Sequence, residues 1–532
     1  MFSRFTAATV ALMCFMNFIP SISAESNLPF KDISTSYAKE AIIHLYNKGI
    51  IAGTAPSIFS PKQSVTRAEF VTILNRLLGI EPVNGPISPF YDVPKKSWYY
   101  ASIQAAVQLG IADGTSTNTF APKKSITRQE TAVLIVRALK QADYWSGRNP
   151  AFNDTDDIAE WAIDSVVIIQ ELGLMQGDEN GMFRPDDSLT RQEAAVMINR
   201  VLQNSKWAAA LDKSSSERIQ LGWQYGQTST QFEQTVLKSN VNTISPRWYF
   251  AGKSGTITDN TDQALLTWAH KHNKKVWAMV GNRSDQELTH QILSNATARN
   301  TMVNNLTKLV QKYDLDGLNI DYENVAPQDR AGMTAFITSL SAKLDALGAV
   351  LSVNVSPDLG TDWTDAFDYE ALGKQADYII MMGYDEHWGG SPKAGSVSSL
   401  PFVVNAINKL LKVVPASKTL LALPSYNRDW ALNDEGGAAS SDVLSIIRQN
   451  ELILSYGMKP LWNANVGQYV TSYKKNGAQH RIWVEDGRSL AGKYKVAVNN
   501  NLAGLAYWYV GGESSDIWIS LRNAERYYGL PL

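Results

Sequence analysis

The chain has 532 residues, 49 Lys and Arg against 51 Asp and Glu, and a formal charge of −2. That balance lacks the basic excess of a nucleic-acid binder, and a 44% hydrophobic share with 19% charged residues describes a globular chain with ample material for cores. At common domain sizes the length corresponds to roughly three or four domains.

Residues 1–24 read as a secretory signal. Arg4 supplies the positive start, Phe5 to Ile19 is mainly apolar, and Pro20, Ser21, Ser23 and Ala24 supply a break and a small-residue cleavage site. The apolar run is shorter than the roughly 20 residues that span a bilayer, which argues against a membrane anchor. The single cysteine, Cys14, lies inside this segment, so the mature chain would contain no disulfide, thiolate nucleophile or Cys-ligated metal. The bulky Met13 before it argues against a lipid-modified cysteine. The expected location is outside the membrane.

Three units follow, over residues 27–83, 88–145 and 150–203. Phe30-Lys-Asp32, Phe90-Tyr-Asp92 and Phe152-Asn-Asp154 open them at spacings of 60 and 62. A Gly-bounded loop comes next (Gly49 to Gly53, Gly110 to Gly114, Gly173 to Gly177), then Phe59-Ser-Pro61, Phe120-Ala-Pro122 and Phe183-Arg-Pro185. Each unit ends in a Thr-Arg-x-Glu run at Thr66, Thr127 or Thr190 that leads into an apolar-periodic helix. Thr with Glu three residues on is a capping box, so each unit reads as helix, Gly-rich loop, helix. One unit cannot bury its apolar face alone; three stacked together can.

The repeats resemble the surface-layer homology (SLH) domain. The resemblance implies an all-α pseudo-threefold body whose grooves bind pyruvylated secondary polysaccharide of a Gram-positive cell wall. It places carboxylate recognition on Arg67, Arg128 and Arg191, since Arg offers a two-pronged fork to a carboxylate. Trp98 and Trp161 are candidate sugar-stacking residues, with Tyr37 at the matching place in the first unit.

Residues 204–217 read as a short polar connector. Residues 218–532 then alternate Val, Ile and aromatic runs with amphipathic stretches, the rhythm of βα units. Eight candidate strands are Ile219–Trp223, Asn242–Phe250, Lys275–Val280, Leu315–Glu323, Val350–Ser356, Tyr378–Tyr384, Thr419–Ser425 and Ala503–Tyr509. Their number fits a (β/α)8 TIM barrel, with residues 426–486 as an inserted subdomain after strand seven. A doubly wound open sheet fits less well, because no Gly-rich phosphate loop follows the first strand.

The fourth strand reads Asp316-Gly-Leu-Asn319-Ile-Asp321-Tyr-Glu323. Side chains alternate along a strand, so Asn319, Asp321 and Glu323 share one face, and polar groups at the C-terminal end of a barrel strand mark an active site. Asp316 has the opposite parity and reads as structural. The run resembles the D-x-x-D-x-D-x-E signature of glycoside hydrolase family 18, the chitinase-like family, with Asn319 in place of the second Asp. Met382-Gly-Tyr384-Asp385 and Tyr507-Trp508-Tyr509 match its sixth- and eighth-strand motifs. Trp483-Val-Glu485-Asp486-Gly-Arg488-Ser489 brings the resemblance nearest to the cell-wall and spore-cortex N-acetylglucosaminidase branch.

The resemblance implies a glycosidase acting by substrate-assisted retention on a glycan containing N-acetylglucosamine. Glu323 would be the general acid and base. Asp321 and Tyr384 would hold the acetamido group, and Trp508 would be the floor under the sugar. Asp385, Trp223, Trp248, Tyr249, Trp388 and Tyr426 are further cleft candidates. The six histidines lack ligand spacing, so neither a metal nor a cofactor is expected. A non-catalytic sugar-binding barrel on the same anchor is the competing expectation, and a purely structural surface protein is a third.

Overall fold

The computed structural model describes residues 28–142, 147, 150–213, 218–360 and 362–532. The expected signal segment and Cys14 lie outside the described residues, as do positions 214–217 of the expected connector.

All three capping boxes form. Thr66, Thr127 and Thr190 accept from the backbone N–H of Glu69, Glu130 and Glu193 and start helices Arg67–Leu78, Arg128–Ala138 and Arg191–Gln203. The first helices, Lys39–Asn47, Tyr100–Gln108 and Ile163–Glu171, each run out at a glycine with left-handed φ: Gly49, Gly110 and Gly173. The opening aspartates act as turn anchors: Asp32 accepts from the N–H of Phe59 and Ser60, Asp92 from Phe120 and Ala121, and Asp154 from Phe183 and Arg184.

The three units close on one another as a ring. Val65 N–H donates to the Leu189 carbonyl (2.8 Å), Leu189 to Ile126 (3.0 Å) and Ile126 to Val65 (2.9 Å). Each unit supplies one donor and one acceptor, so no unit is satisfied alone. This is the pseudo-threefold body expected from the repeats.

The second domain is a closed ring of eight parallel strands: β1 Ile219–Gln224, β2 Thr243–Pro246, β3 Lys275–Gly281, β4 Gly317–Asp321, β5 Val350–Val355, β6 Tyr378–Met382, β7 Thr419–Pro424 and β8 Gly504–Trp508. Neighbours in chain order pair in parallel, and β8 returns to β1. Leu221, Trp277, Met279, Ile380 and Leu420 fill the interior, as the packed core of a TIM barrel requires. Between β7 and β8, residues 426–484 build a five-stranded antiparallel sheet with helix Ile446–Ser455. The second candidate strand is broken. It stops at Pro246, and Tyr249–Ala251 starts a hairpin with Ile257–Asp259.

The expected polar connector is mostly helical. Ser205–Asp212 is a helix that buries Trp207 and Leu211; the sequence reading missed its two apolar contacts. The last helix of the barrel, Ser515–Gly529, packs against the repeats. Asn523, 2% exposed, accepts from the Glu81 N–H and donates to the Glu81 carbonyl, each at 2.8 Å. Arg522 grips the Glu81 carboxylate at 2.8 and 3.2 Å, and Arg526 donates to the carbonyls of Leu78, Leu211 and Lys213. Tyr527 and Tyr528 donate to the carbonyls of Arg137 and Leu109.

Asn523→Ala leaves both Glu81 backbone groups unpaired in a buried contact. It should lower stability by about 1–3 kcal/mol, read as a lower denaturant midpoint; an unchanged midpoint would mean that the two domains do not hold each other.

Candidate active site and the repeat-domain grooves

The site begins with β4. Asn319 is fully buried inside the barrel, and all of its hydrogen-bonding capacity is used. Its carbonyl oxygen accepts from Trp223 Nε1 (2.9 Å) and Ser245 Oγ (3.4 Å). Its amide donates to Ser352 Oγ (3.0 Å) and Asn354 Oδ1 (2.8 Å). Asn354 then donates to Asp321 Oδ1 at 2.8 Å. Four strands, β1, β2, β4 and β5, therefore meet in one network that ends on Asp321. A carboxylate at 319 would bury a charge and lose both amide donations, so this network is built for Asn.

Burial pushes the Asp321 carboxyl up to about 7, and the neighbouring Glu323 charge adds to the rise; Asn354 and the Arg247 charge oppose it. Glu323 lies two residues past the end of β4 and is exposed at the mouth. Its carboxylate accepts from Ser284 Oγ at 2.8 Å. Its backbone is pinned on both sides by Asn282, which accepts from the Glu323 N–H and donates to its carbonyl. Tyr384, 8% exposed, follows β6, and burial together with the Asp321 charge holds its phenol protonated well above the usual range. Tyr426 stands 6.1 Å from the Tyr384 ring and donates to Asp385 Oδ1 at 2.5 Å.

Trp508 ends β8, with its ring 5.8 Å from Trp223 and 5.4 Å from Tyr225. Trp388 stands exposed on the loop after β6. Trp223 is completely buried and tied to Asn319, so it supports the floor from below and does not line the cleft.

Trp248 and Tyr249 do not belong to the cleft. Both are buried in the core outside the barrel interior, and the Tyr249 hydroxyl is paired with Thr261 Oγ1. Trp248 keeps the outward parity of Ile244, and past the break after Pro246 Tyr249 joins it; Arg247, on the parity of Ser245, and Phe250 accompany Trp508 instead. Asp316 lies at the opposite end of β4 and bonds Lys275, His270 and the Val276 N–H. Among the described residues no cluster of three His, Cys, Asp or Glu side chains is placed to hold a metal ion.

Residues 223–513 match the family model for glycosyl hydrolases family 18, which is more than half of the chain. The chain belongs to glycosyl hydrolases family 18. Residues 29–71, 89–132 and 151–195 match the S-layer homology domain. Over 319 residues the chain is 29% identical to the uncharacterized glycosylase YvbX of Bacillus subtilis, spanning 58% of this chain and 91% of that protein. Over 272 residues it is 26% identical to a cortical fragment-lytic enzyme of Bacillus cereus, spanning 49% of this chain and 63% of that enzyme. A chitinase from Chromobacterium violaceum superposes with a TM-score of 0.54 at 25% identity, over 58% of this chain and 99% of that one. As a family 18 member the barrel is a glycosidase, and the repeats associate it with the cell surface.

Sequence reasoning missed Asn354, Ser352, Asn282 and Ser284. The signal was present for the first two. In Val350-Leu-Ser352-Val-Asn354-Val355 polar residues alternate on β5, the same parity rule that picks out Asn319 and Asp321. Asn282 and Ser284 sit on an irregular loop whose direction periodicity does not encode.

The repeat arginines hold the ring together. Arg67 Nε donates to the Phe120 carbonyl, Arg128 to Phe183 and Arg191 to Phe59, each with its guanidinium over that same phenyl ring at 4.5–5.1 Å. Nη2 takes a second carbonyl, of Asp113, Gln176 or Ala52, and Nη1 faces Glu130, Glu193 or Glu69. The expected free two-pronged fork is thus already committed to the next unit.

Two grooves open beside these arginines. One of about 680 Å³ has Tyr37, Arg128 and Arg200 in its walls; the other, of about 460 Å³, has Trp98, Arg191 and Arg76. The Arg76 side chain has no ion-pair or hydrogen-bond partner among the described residues. At the third position, beside Arg67, Asp113 replaces the Ala52 and Gln176 of the other units and pairs with Arg137 at 2.7 Å and with Arg488 of the barrel at 3.8 Å. The exposed Trp161 belongs by symmetry to that third position.

Burial, with the Glu323 charge, raises the folded Asp321 carboxyl to about 7, above its ordinary 3.8. The folded state therefore binds more protons in that window, and stability falls as pH rises through it. Asp321→Asn removes this loss and should raise the thermal midpoint of the protein at about pH 8. The gain should fade toward about pH 4, as measured by thermal unfolding at both values.

Proposed function

We propose that the protein is a wall-anchored N-acetylglucosaminidase that cuts β-1,4 bonds after N-acetylglucosamine in peptidoglycan by substrate-assisted retention. The observation that carries this reading is the division of labour between two carboxyls on one strand end. Glu323 is exposed at the mouth and held by Ser284, while Asp321 is sunk behind it and held by Asn354. Most retaining glycosidases place two carboxylates on opposite sides of the bond, about 5–5.5 Å apart, with one as nucleophile. Here both come from one side, and family 18 is a substrate-assisted exception to that rule.

In this mechanism Glu323 donates a proton to the leaving glycosidic oxygen as the acetamido oxygen of the same sugar attacks its anomeric carbon. Asp321 accepts the acetamido N–H and balances the positive charge that develops there. The Tyr384 hydroxyl donates to the acetamido oxygen, and Trp508 is the apolar floor. Glu323 then takes a proton from water, which opens the cyclic intermediate from the face the leaving group vacated and retains configuration. The name of the Bacillus cereus relative favours peptidoglycan over chitin.

Binding of a carboxylate-bearing wall polysaccharide is assigned to the two open grooves. Arg76 and Arg200 supply the charge, and Trp98 and Tyr37 supply the stacking surfaces. The third position offers an anion an ion pair already formed.

A sugar-binding barrel without catalysis is the competing reading, and Asn354 argues against it, because a lectin has no need to hold an internal carboxyl at a set angle. Glu323→Gln should cut the release of reducing ends from purified peptidoglycan by about 10²–10⁴-fold while retaining binding, and de-N-acetylated glycan should resist the native protein. Undiminished turnover in that variant would sink the assignment. For the anchor, the double change Arg76→Gln and Arg200→Gln should weaken cosedimentation with purified walls by roughly tenfold or more; equal binding would move recognition elsewhere.

A further inference from the structure

Among the described residues, one guanidinium beside the barrel mouth has no hydrogen-bond or ion-pair partner. Arg247 occupies the break after β2, with its guanidinium 5.2 Å from the Tyr225 ring, 5.7 Å from Phe250 and 5.9 Å from Trp508. Its Nε is buried and makes no hydrogen bond. A second guanidinium, Arg283, lies 4.3 Å from the same Phe250 ring and stands in the loop that carries Ser284. Neither forms an ion pair or hydrogen bond among the described residues. The acids of the site lie near this face, and Arg428 faces Asp385 and Tyr426; Asp321 is bonded to Asn354 and not to Arg247.

A buried donor without an acceptor costs free energy in the empty protein. Stacking explains why the guanidinium stays in place, but it satisfies no N–H. A planar fork with open donors fits a carboxylate. Chitin carries no negative charge. A glycan that alternates N-acetylglucosamine with its lactyl-ether counterpart carries an acidic substituent on both neighbours of every N-acetylglucosamine.

We propose that Arg247, with Arg283 across Phe250, forms an anion-recognition subsite. It reads a carboxylate on a sugar next to the N-acetylglucosamine held over Trp508, and so makes the barrel select acid-bearing glycans over chitin. The inference rests on the reading of the barrel as a glycan-cutting site and names what that site prefers. The carboxylate comes either from the lactyl ether itself or from a stem peptide attached to it.

Three tetrasaccharides separate these cases: chitotetraose, the alternating N-acetylglucosamine–N-acetylmuramic acid tetrasaccharide with free lactyl groups, and the same tetrasaccharide bearing tetrapeptide stems. Binding is measured by calorimetry on the full chain carrying Glu323→Gln, so that no ligand is consumed. At least one acidic ligand should bind roughly tenfold or more tighter than chitotetraose. The ratio should fall toward one when Arg247→Gln or Arg283→Gln is added, and it should shrink with added salt. Whichever acidic ligand shows the preference identifies the source of the carboxylate.

A merely structural role for either arginine would weaken all three ligands alike and leave the ratio unchanged; that result, or a ratio near one in the parent, overturns the proposal. Arg283 is exposed, so its variant tests the idea even if Arg247→Gln folds poorly. Turnover by the native chain is scored separately. Failure to cleave any of the three would count against the glycosidase mechanism, whereas the binding ratio judges the subsite.

Discussion

The barrel mouth is organised around one constraint, a carboxyl, Asp321, held largely away from water beside a second, Glu323. Neither burial nor proximity is favourable for a charged acid, so the barrel must supply compensation, and it does so without adding charge. Asn319 and Asn354 form a chain of neutral amides that begins at the Trp223 indole and ends on Asp321. Every donor in that chain points toward an acceptor, which sets the Asp321 side chain in one orientation. An Asp at position 319 would have introduced a second buried acid. With Asn there, the network is satisfied in a single arrangement.

The same economy governs the anchor. A helix-loop-helix unit of about sixty residues is too small to bury its own apolar face, and the three units solve this by exchanging groups in a cycle. The three backbone bonds at Val65, Ile126 and Leu189 and the three arginines that reach into the next unit all follow that cycle. The arginines that most suggest ligand recognition in the repeats are therefore spent on assembly. The symmetry is also broken where it meets the barrel: Asp113 pairs with both Arg137 and Arg488, so the third position is tied to the neighbouring domain.

The two domains are joined by a contact that uses carbonyls. Arg526, Tyr527, Tyr528 and Lys140 donate to backbone oxygens across the boundary, and Asn523 pairs with both backbone groups of Glu81. Backbone groups are fixed by their own helices, so such a contact holds orientation more tightly than pairs of long side chains do. The barrel mouth is then carried in a fixed direction relative to the grooves of the repeats.

Much of this was readable in the residues. The repeats, their capping boxes, the eight strands, the insertion after the seventh and the trio Asn319, Asp321 and Glu323 follow from periodicity and spacing, because helix and strand geometry repeat locally. What depended on contacts between distant segments was not readable. The break after Pro246 turned Tyr249 into the same outer core as Trp248 and left Arg247 at the mouth, and no local pattern announces where that strand stops. The connector became a helix because Trp207 and Leu211 found a surface that only the folded domains provide. Asn354 and Ser284 acquire meaning only when β5 and the loop after β3 close around β4. Sequence alone determined which groups exist and which face of each element they occupy; tertiary structure decided which of them meet, because hydrogen bonds and burial are settled between elements far apart in the chain.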